Sequence, residues 1–127
     1  MTVISTNTAL VVEDDFASRQ YLTFLLKRLN IEAIVAENGE DALQMMEHET
    51  VKFMLLDIAL GPGISGIQLC EKLKAEERFL GTPAIAVTAF SREHLDEFDR
   101  VGFHGYLPKP YTFEQLETIL KELAGID

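Results

Sequence analysis

The sequence of 127 residues has little of several features that would restrict its fold or its location. Its single cysteine, Cys70, allows no internal disulfide, which fits a reducing compartment. No apolar run approaches the roughly 18 residues that a membrane-spanning helix needs. Residues 1–7 also lack the basic and apolar segments of a signal peptide. We therefore expect a cytoplasmic protein that has no membrane partner, and a single domain over residues 1–127.

Basic residues are also scarce in this chain. Lys and Arg total 11 against 21 Asp and Glu, which gives a formal net charge of −10. Because affinity for nucleic acid depends on neutralising phosphates, we expect no direct binding of DNA or RNA. The excess of acid instead favours metal cations or basic partner surfaces, although most surface acids need serve nothing beyond solubility.

Short apolar runs alternate along the chain with longer segments of helical period. Five runs predict buried strands: Thr8–Val12, Glu32–Ala36, Phe53–Leu56, Pro83–Val87 and Gly105–Leu107. Five segments predict helices: Phe16–Leu29, Asn38–Glu47, Ile67–Glu77, Ser91–Arg100 and a last helix after Thr112. Asp15, Asn38, Ser91 and Thr112 are candidate N-caps, and Gly102 is expected to end the fourth helix.

This alternation predicts the fold class. Strands that are apolar on both faces and are separated by helices indicate a parallel sheet covered on both sides. Right-handed crossovers make a doubly wound α/β sheet of five strands and five helices the natural arrangement. A closed barrel would need eight such units, and the chain is too short for that.

Chemically active residues follow four of the predicted strands. Ligands of open α/β sheets bind beyond the carboxyl ends of the strands. The residues at those ends are Glu13, Asp14 and Asp15 after the first strand, Asp57 after the third, Thr88 after the fourth, and Pro108, Lys109 and Pro110 after the fifth. The sequence therefore predicts a site that combines several carboxylates, one hydroxyl and one ammonium group.

The predicted carboxylates need a cation beside them. Each pair of like charges about 4 Å apart costs on the order of 4 kcal/mol at an effective dielectric near 20. Magnesium suits a site with few carboxylates, retained waters and a phosphate. Lys109 and Thr88 are groups that hold phosphoryl oxygens. Ionised Asp57 can act as a nucleophile toward phosphorus and form an aspartyl phosphate.

Taken singly, most of these residues have ordinary structural explanations. Asp15 reads best as an N-cap, Thr88 as a strand-end threonine and Lys109 as a solvated lysine, and Tyr106 fits a half-buried strand aromatic. The three histidines, His48, His94 and His104, have no metal-binding spacing, and Cys70 lies on an apolar helix face, as packing residues do. The joint placement at four strand ends favours the functional interpretation.

Four short runs resemble the receiver domain of two-component response regulators. They are LVVEDD at Leu10–Asp15, LLDIAL at Leu55–Leu60, VTAF at Val87–Phe90 and GYLPKP at Gly105–Pro110. The resemblance covers nearly the whole chain and keeps the family's order and spacing. It implies a flavodoxin-like fold with strand order 2-1-3-4-5, in a protein that is either a stand-alone regulator or part of a larger one.

The resemblance also implies roles for individual residues. Asp57 would accept the phosphoryl group from a sensor histidine kinase or a histidine phosphotransfer protein. Magnesium would be bound by Glu13, Asp14, Asp57 and the backbone carbonyl of Ala59. The protein would catalyse at most its own phosphorylation and dephosphorylation.

Further residues would hold and sense the phosphoryl group. Thr88 and Lys109 would contact its oxygens, and the bond before Pro110 would be cis. Tyr106 would be the switch aromatic, which changes the face formed by the fourth helix, the fifth strand and the last helix. That face would bind an unknown downstream protein or support a phosphorylation-dependent homodimer.

The loop after Asp57, IALGPGISG, departs from the family pattern because it is one residue longer than usual. Two variable positions, Ala59 and Phe90, carry no group that orients a hydrolytic water, so we hypothesise a long-lived phosphorylated form. Two alternatives remain. A degenerate receiver would bind partners without phosphorylation. A haloacid-dehalogenase-type phosphatase would need a DxDx[TV] pattern and a cap domain, whereas this chain has EDDFA.

Overall fold

The computed structural model describes residues 7–89 and 95–126. Five strands and five helices alternate along these residues. The strands are β1 (Thr8–Val12), β2 (Glu32–Ala36), β3 (Phe53–Asp57), β4 (Ala84–Thr88) and β5 (Gly105–Pro108). The helices are α1 (Phe16–Arg28), α2 (Gly39–Met45), α3 (Gly66–Lys74), α4 (Leu95–Val101) and α5 (Phe113–Leu123).

The sheet confirms the predicted fold class. All four neighbouring pairs are parallel, and the order is β2-β1-β3-β4-β5. The register places Val12 opposite Leu56, and Thr88 opposite Pro108. A common edge of the sheet, here called the carboxyl edge, therefore contains the carboxyl ends of β1, β3, β4 and β5.

The sheet is buried on both faces because each strand sends alternate side chains to opposite sides. On one face Val11 and Leu55 pack with α1 and α5, through residues such as Leu26 and Leu116. On the other face the alternate strand residues pack with α2, α3 and α4. This doubly wound arrangement explains why the strands read as continuous apolar runs. Among the described residues, no helix is both long and apolar enough to cross a membrane.

Three of the four predicted N-caps lie among the described residues and accept backbone hydrogen bonds. The side chain of Asp15 accepts from Ser18, and that of Asn38 accepts from Asp41. Thr112 forms a reciprocal capping box with Gln115. The fourth candidate, Ser91, lies outside the described residues, as does the start predicted for its helix.

Some predicted helix ends were wrong. The second helix was expected to reach Glu47 and ends at Met45. The third was expected to run from Ile67 to Glu77. It ends at Lys74 and is followed by a separate 3-10 turn at Glu77–Phe79. The physical reason is Lys74, whose ammonium donates to the carbonyls of Phe79 and Thr82 and so holds the chain in a turn.

Candidate functional site

The carboxyl edge brings three acidic side chains together. Glu13 and Asp14 follow β1, and Asp57 is the last residue of β3. One oxygen from each of the three lies within 4.8 Å of the others. Glu13 is 3% exposed and Asp57 is 5% exposed, whereas Asp14 is open to solvent. Two carboxylates are thus removed from water while the third stands at the mouth of the site.

The ammonium group of Lys109 bridges the two buried carboxylates. Its Nζ lies 2.5 Å from Oε1 of Glu13 and 3.0 Å from Oδ2 of Asp57. Lys109 reaches them from the loop after β5, where its backbone N–H donates to the carbonyl of Thr88 at 2.9 Å. A single positive charge therefore offsets two negative charges that would otherwise repel each other.

Electrostatics at this bridge shift two pKa values in the same direction. Burial, together with interaction with Asp57, raises the pKa of Glu13 to about 7, and the hydrogen bond with Lys109 opposes the shift. Burial would lower the pKa of Lys109, but the hydrogen bonds with Glu13 and Asp57 outweigh it and raise that pKa. Near neutral pH the lysine is charged, and Glu13 is close to its titration point.

Backbone groups fix the position of Asp57. Its Oδ1 accepts a hydrogen bond from the N–H of Ala59 at 3.0 Å, so its two oxygens have different partners. Gly66 packs directly against the strand end, since a Cβ there would lie 2.0 Å from the carbonyl oxygen of Asp57. Only glycine fits this approach. This contact was not predicted from the sequence.

The other predicted residues that the structure describes lie in or directly after β3, β4 and β5. Thr88 is fully buried at the end of β4, next in the sheet to β3. The bond between Lys109 and Pro110 is cis. Tyr106 in β5 is half-buried, and its ring centroid lies 6.2 Å from that of Phe98 in α4. Ala59 is exposed in the loop after Asp57, and Phe90 lies outside the described residues.

Sequence reasoning missed one charged residue beside the site. Arg19 in α1 donates to the backbone carbonyl of Glu13 at 3.0 Å and forms an ion pair with Glu37 at 3.1 Å. Its position one turn into α1 is typical of any solvated arginine, so no sequence pattern marks it. Asp15, by contrast, acts as the N-cap that its position predicted.

This arrangement fits a hard divalent cation. Its donors are carboxylate oxygens, and Glu13, Asp14 and Asp57 together carry more negative charge than Lys109 alone offsets. Magnesium prefers oxygen ligands. In proteins it is usually bound by one or two carboxylates and keeps several of its waters. The open side of the site at Asp14 leaves room for those waters.

Comparisons with known proteins identify the family. The family model described as the response regulator receiver domain matches residues 9–121. The chain is 31% identical over 122 residues to the chemotaxis protein CheY of Pseudomonas aeruginosa, covering 91% of this chain and 98% of CheY. It is 36% identical over 112 residues to the sensory transduction protein RegX3 of Mycolicibacterium smegmatis. That match covers 84% of this chain and 46% of RegX3, so the chain spans about half the length of this relative.

A solved structure agrees with the fold. The receiver domain of the sensor histidine kinase PA1611 from Pseudomonas aeruginosa superposes with a TM-score of 0.86 at 24% identity. The match covers 95% of this chain and 99% of that one. Together with the family match over residues 9–121, these findings show that the chain belongs to the response regulator receiver domain family, whose members are signalling modules.

Proposed function

We propose that this chain is a phosphoacceptor receiver domain over residues 1–127, in which Asp57 takes a phosphoryl group in a magnesium-dependent reaction. The donor would be a phosphohistidine on a sensor histidine kinase or a histidine phosphotransfer protein. The observation that carries the proposal is the ammonium of Lys109 shared between buried Glu13 and Asp57. The charged groups of this site contact one another, and a metal ion and a phosphoryl group could replace these contacts of Lys109 with Glu13 and Asp57.

The metal would be held by Glu13, Asp14, Asp57 and the carbonyl of Ala59. The acidic cluster supports this assignment, and the PA1611 receiver domain has a magnesium ion coordinated in its active-site cleft. When bound, magnesium would neutralise charge that develops on the transferring phosphoryl group.

The side chains of this chain would carry the transfer itself. A carboxylate oxygen of Asp57 attacks phosphorus as the bond from phosphorus to the donor nitrogen breaks, and the imidazole leaves with the electron pair. The N–H of Ala59 holds one Asp57 oxygen and so orients the carboxylate for attack. Lys109 and Thr88 would then donate to the phosphoryl oxygens.

Phosphorylation would act on the face formed by α4, β5 and α5. Thr88 ends β4, and Tyr106 lies in the adjoining strand β5. Tyr106 also lines a groove of about 400 Å³ between β5 and α5, together with Ile119 and Glu122. Moving such a switch from 1:99 to 99:1 requires about 5.5 kcal/mol of differential stabilisation. A doubly charged group beside a metal, a lysine and a hydroxyl can contribute much of that. This face would bind a downstream protein or a second phosphorylated copy.

The test is incubation with acetyl phosphate, with and without magnesium, followed by intact mass spectrometry. We expect one added phosphoryl group in the parent protein only when magnesium is present. Asp57→Asn should show none under either condition, because the amide is not a nucleophile toward phosphorus. Absence of any addition to the parent would contradict the proposal and favour a degenerate receiver that binds partners without phosphorylation.

A further inference from the structure

A fourth carboxylate stands near the metal pocket but outside it. Glu37 follows β2, and its side chain lines the same cleft as Asp14, with Asn38, Gly61 and Pro62. Among the described residues, the acidic group whose oxygens lie within 4.8 Å of one another contains Glu13, Asp14 and Asp57 but not Glu37. Glu37 thus lies within reach of the cleft without taking part in the cluster.

Arg19 accounts for the position of Glu37. One guanidinium nitrogen lies 3.1 Å from Oε1 of Glu37, while another donates to the backbone carbonyl of Glu13 at 3.0 Å. The Arg19 side chain is 14% exposed and that of Glu37 is 68% exposed. The largely buried guanidinium of Arg19 therefore holds the exposed carboxylate of Glu37 beside α1 through one nitrogen and the Glu13 backbone through another.

We propose that Arg19 keeps Glu37 out of the metal pocket and so makes the pocket select magnesium over calcium. This inference rests on the proposed function, because it concerns the same magnesium site. Arg19 contacts neither the metal nor the phosphoryl group and is a positioning residue.

The number of available carboxylates decides the selectivity. Magnesium demands six ligands in a compact octahedron and keeps its waters, whereas calcium accepts six to eight oxygens in flexible arrangements. A released Glu37 adds one mobile carboxylate on the side where Asp14 is open to solvent. Such a ligand favours calcium more than magnesium, since the larger ion tolerates irregular geometry and gains from each added oxygen.

The experiment is isothermal titration calorimetry of the full chain with magnesium chloride and with calcium chloride. For the parent we expect a lower Kd for magnesium than for calcium. In Arg19→Met the ratio of the calcium Kd to the magnesium Kd should fall by about tenfold, a typical effect of a lost outer contact at a metal site. Adding Glu37→Gln to Arg19→Met should restore the ratio to within about threefold of the parent.

A matched control removes a similar charge elsewhere on the same helix. Lys27 lies eight residues after Arg19, about 12 Å further along α1, and is exposed. Lys27→Met should leave the ratio unchanged. A second variant, Glu37→Gln alone, avoids any loss of Arg19 packing and should also leave the ratio within about twofold, because Glu37 is already withheld from the pocket.

Three results would overturn the inference, and they can be told apart. An unchanged ratio in Arg19→Met, with magnesium still bound, contradicts it while sparing the proposed function. A fallen ratio that Glu37→Gln does not reverse shows that Arg19 acts through the Glu13 backbone instead. A parent that binds no magnesium contradicts the proposed function itself, and the inference with it.

Discussion

Two partly buried lysines, one at each end of the sheet, have opposite environments. Lys109 at the carboxyl edge contacts the carboxylates of Glu13 and Asp57. Lys74 lies where α3 ends, and its ammonium donates to the backbone carbonyls of Phe79, Leu80 and Thr82. The pKa of Lys109 is raised by its carboxylate partners despite burial, whereas burial lowers the pKa of Lys74.

The two lysines differ in whether a ligand could replace their hydrogen-bond partners. The carbonyls around Lys74 are neutral parts of the main chain, so that ammonium completes a turn with neutral partners. The partners of Lys109 are ionisable side chains that also belong to an acidic cluster. In the proposed function a metal or a phosphoryl group takes over these contacts, whereas the contacts of Lys74 serve to hold a turn.

The largest expected effect comes from removing the ammonium at the carboxyl edge. Lys109→Met should slow phosphorylation by acetyl phosphate between about 100- and 1,000-fold, the usual result of deleting a preorganised donor to developing charge. The initial rate of phosphorylation, followed by intact mass spectrometry, measures this slowing. The matched variant Lys74→Met should react at the parent rate, and equal slowing of both variants would contradict the contrast between the lysines.

The second effect is a pH dependence of stability that comes from Glu13 at the carboxyl edge. Because the pKa of Glu13 rises from 4.5 to about 7 on folding, the folded state holds this proton more tightly. Glu13 therefore stabilises the fold below pH 4.5, and that contribution is lost as the pH rises to about 7. Without magnesium we expect a loss of about 3 kcal/mol in the free energy of unfolding.

Urea unfolding at a series of pH values measures this loss as a difference between the parent and Glu13→Gln. The difference cancels the contribution of His104 at the other end, whose pKa is lowered by burial and by Lys74. A parallel pH dependence in parent and variant would show that Glu13 does not titrate as described.

A third comparison uses two glycines. Gly66→Ala should lower the free energy of unfolding by about 2 kcal/mol and slow phosphorylation, because the new methyl group displaces the carbonyl of Asp57. Gly81→Ala is the control before β4, where a Cβ meets nothing within 4 Å. It should change stability by less than about 0.5 kcal/mol. Equal effects in urea unfolding would contradict the close contact at Gly66.

The smallest effect is expected at the opposite end. Lys74→Met should lower the free energy of unfolding by about 1 kcal/mol, since carbonyls in the turn lose their donor. Thermal unfolding should show the same stabilisation by magnesium as in the parent. A lost response to magnesium would mean that this end is coupled to the site.

The strands and the positions of the site residues at the carboxyl edge were predictable from the sequence. Strands such as Phe53–Asp57 were predictable because burial on both faces leaves an unbroken apolar run. The placement of Asp57, Thr88 and Lys109 at one edge followed from the parallel topology alone.

Contacts between distant side chains were not predictable. The pairing of Arg19 with Glu37 and the turn that Lys74 holds depend on which long, flexible side chains meet after the backbone has folded. The predicted end of α3 was wrong for this reason: residues 74–77, KAEE, are all compatible with a helix, but the tertiary contacts of Lys74 turned the chain. Helix propensity is a weak preference that such contacts override.

The most direct test of the contrast between the two ends is an amide NMR map of the labelled protein before and after addition of magnesium and acetyl phosphate. We expect large shifts at Glu13, Asp57 and Lys109, extending to Tyr106, with Lys74 and His104 unchanged. Shifts centred on Lys74 and His104, or none at Asp57, would contradict it.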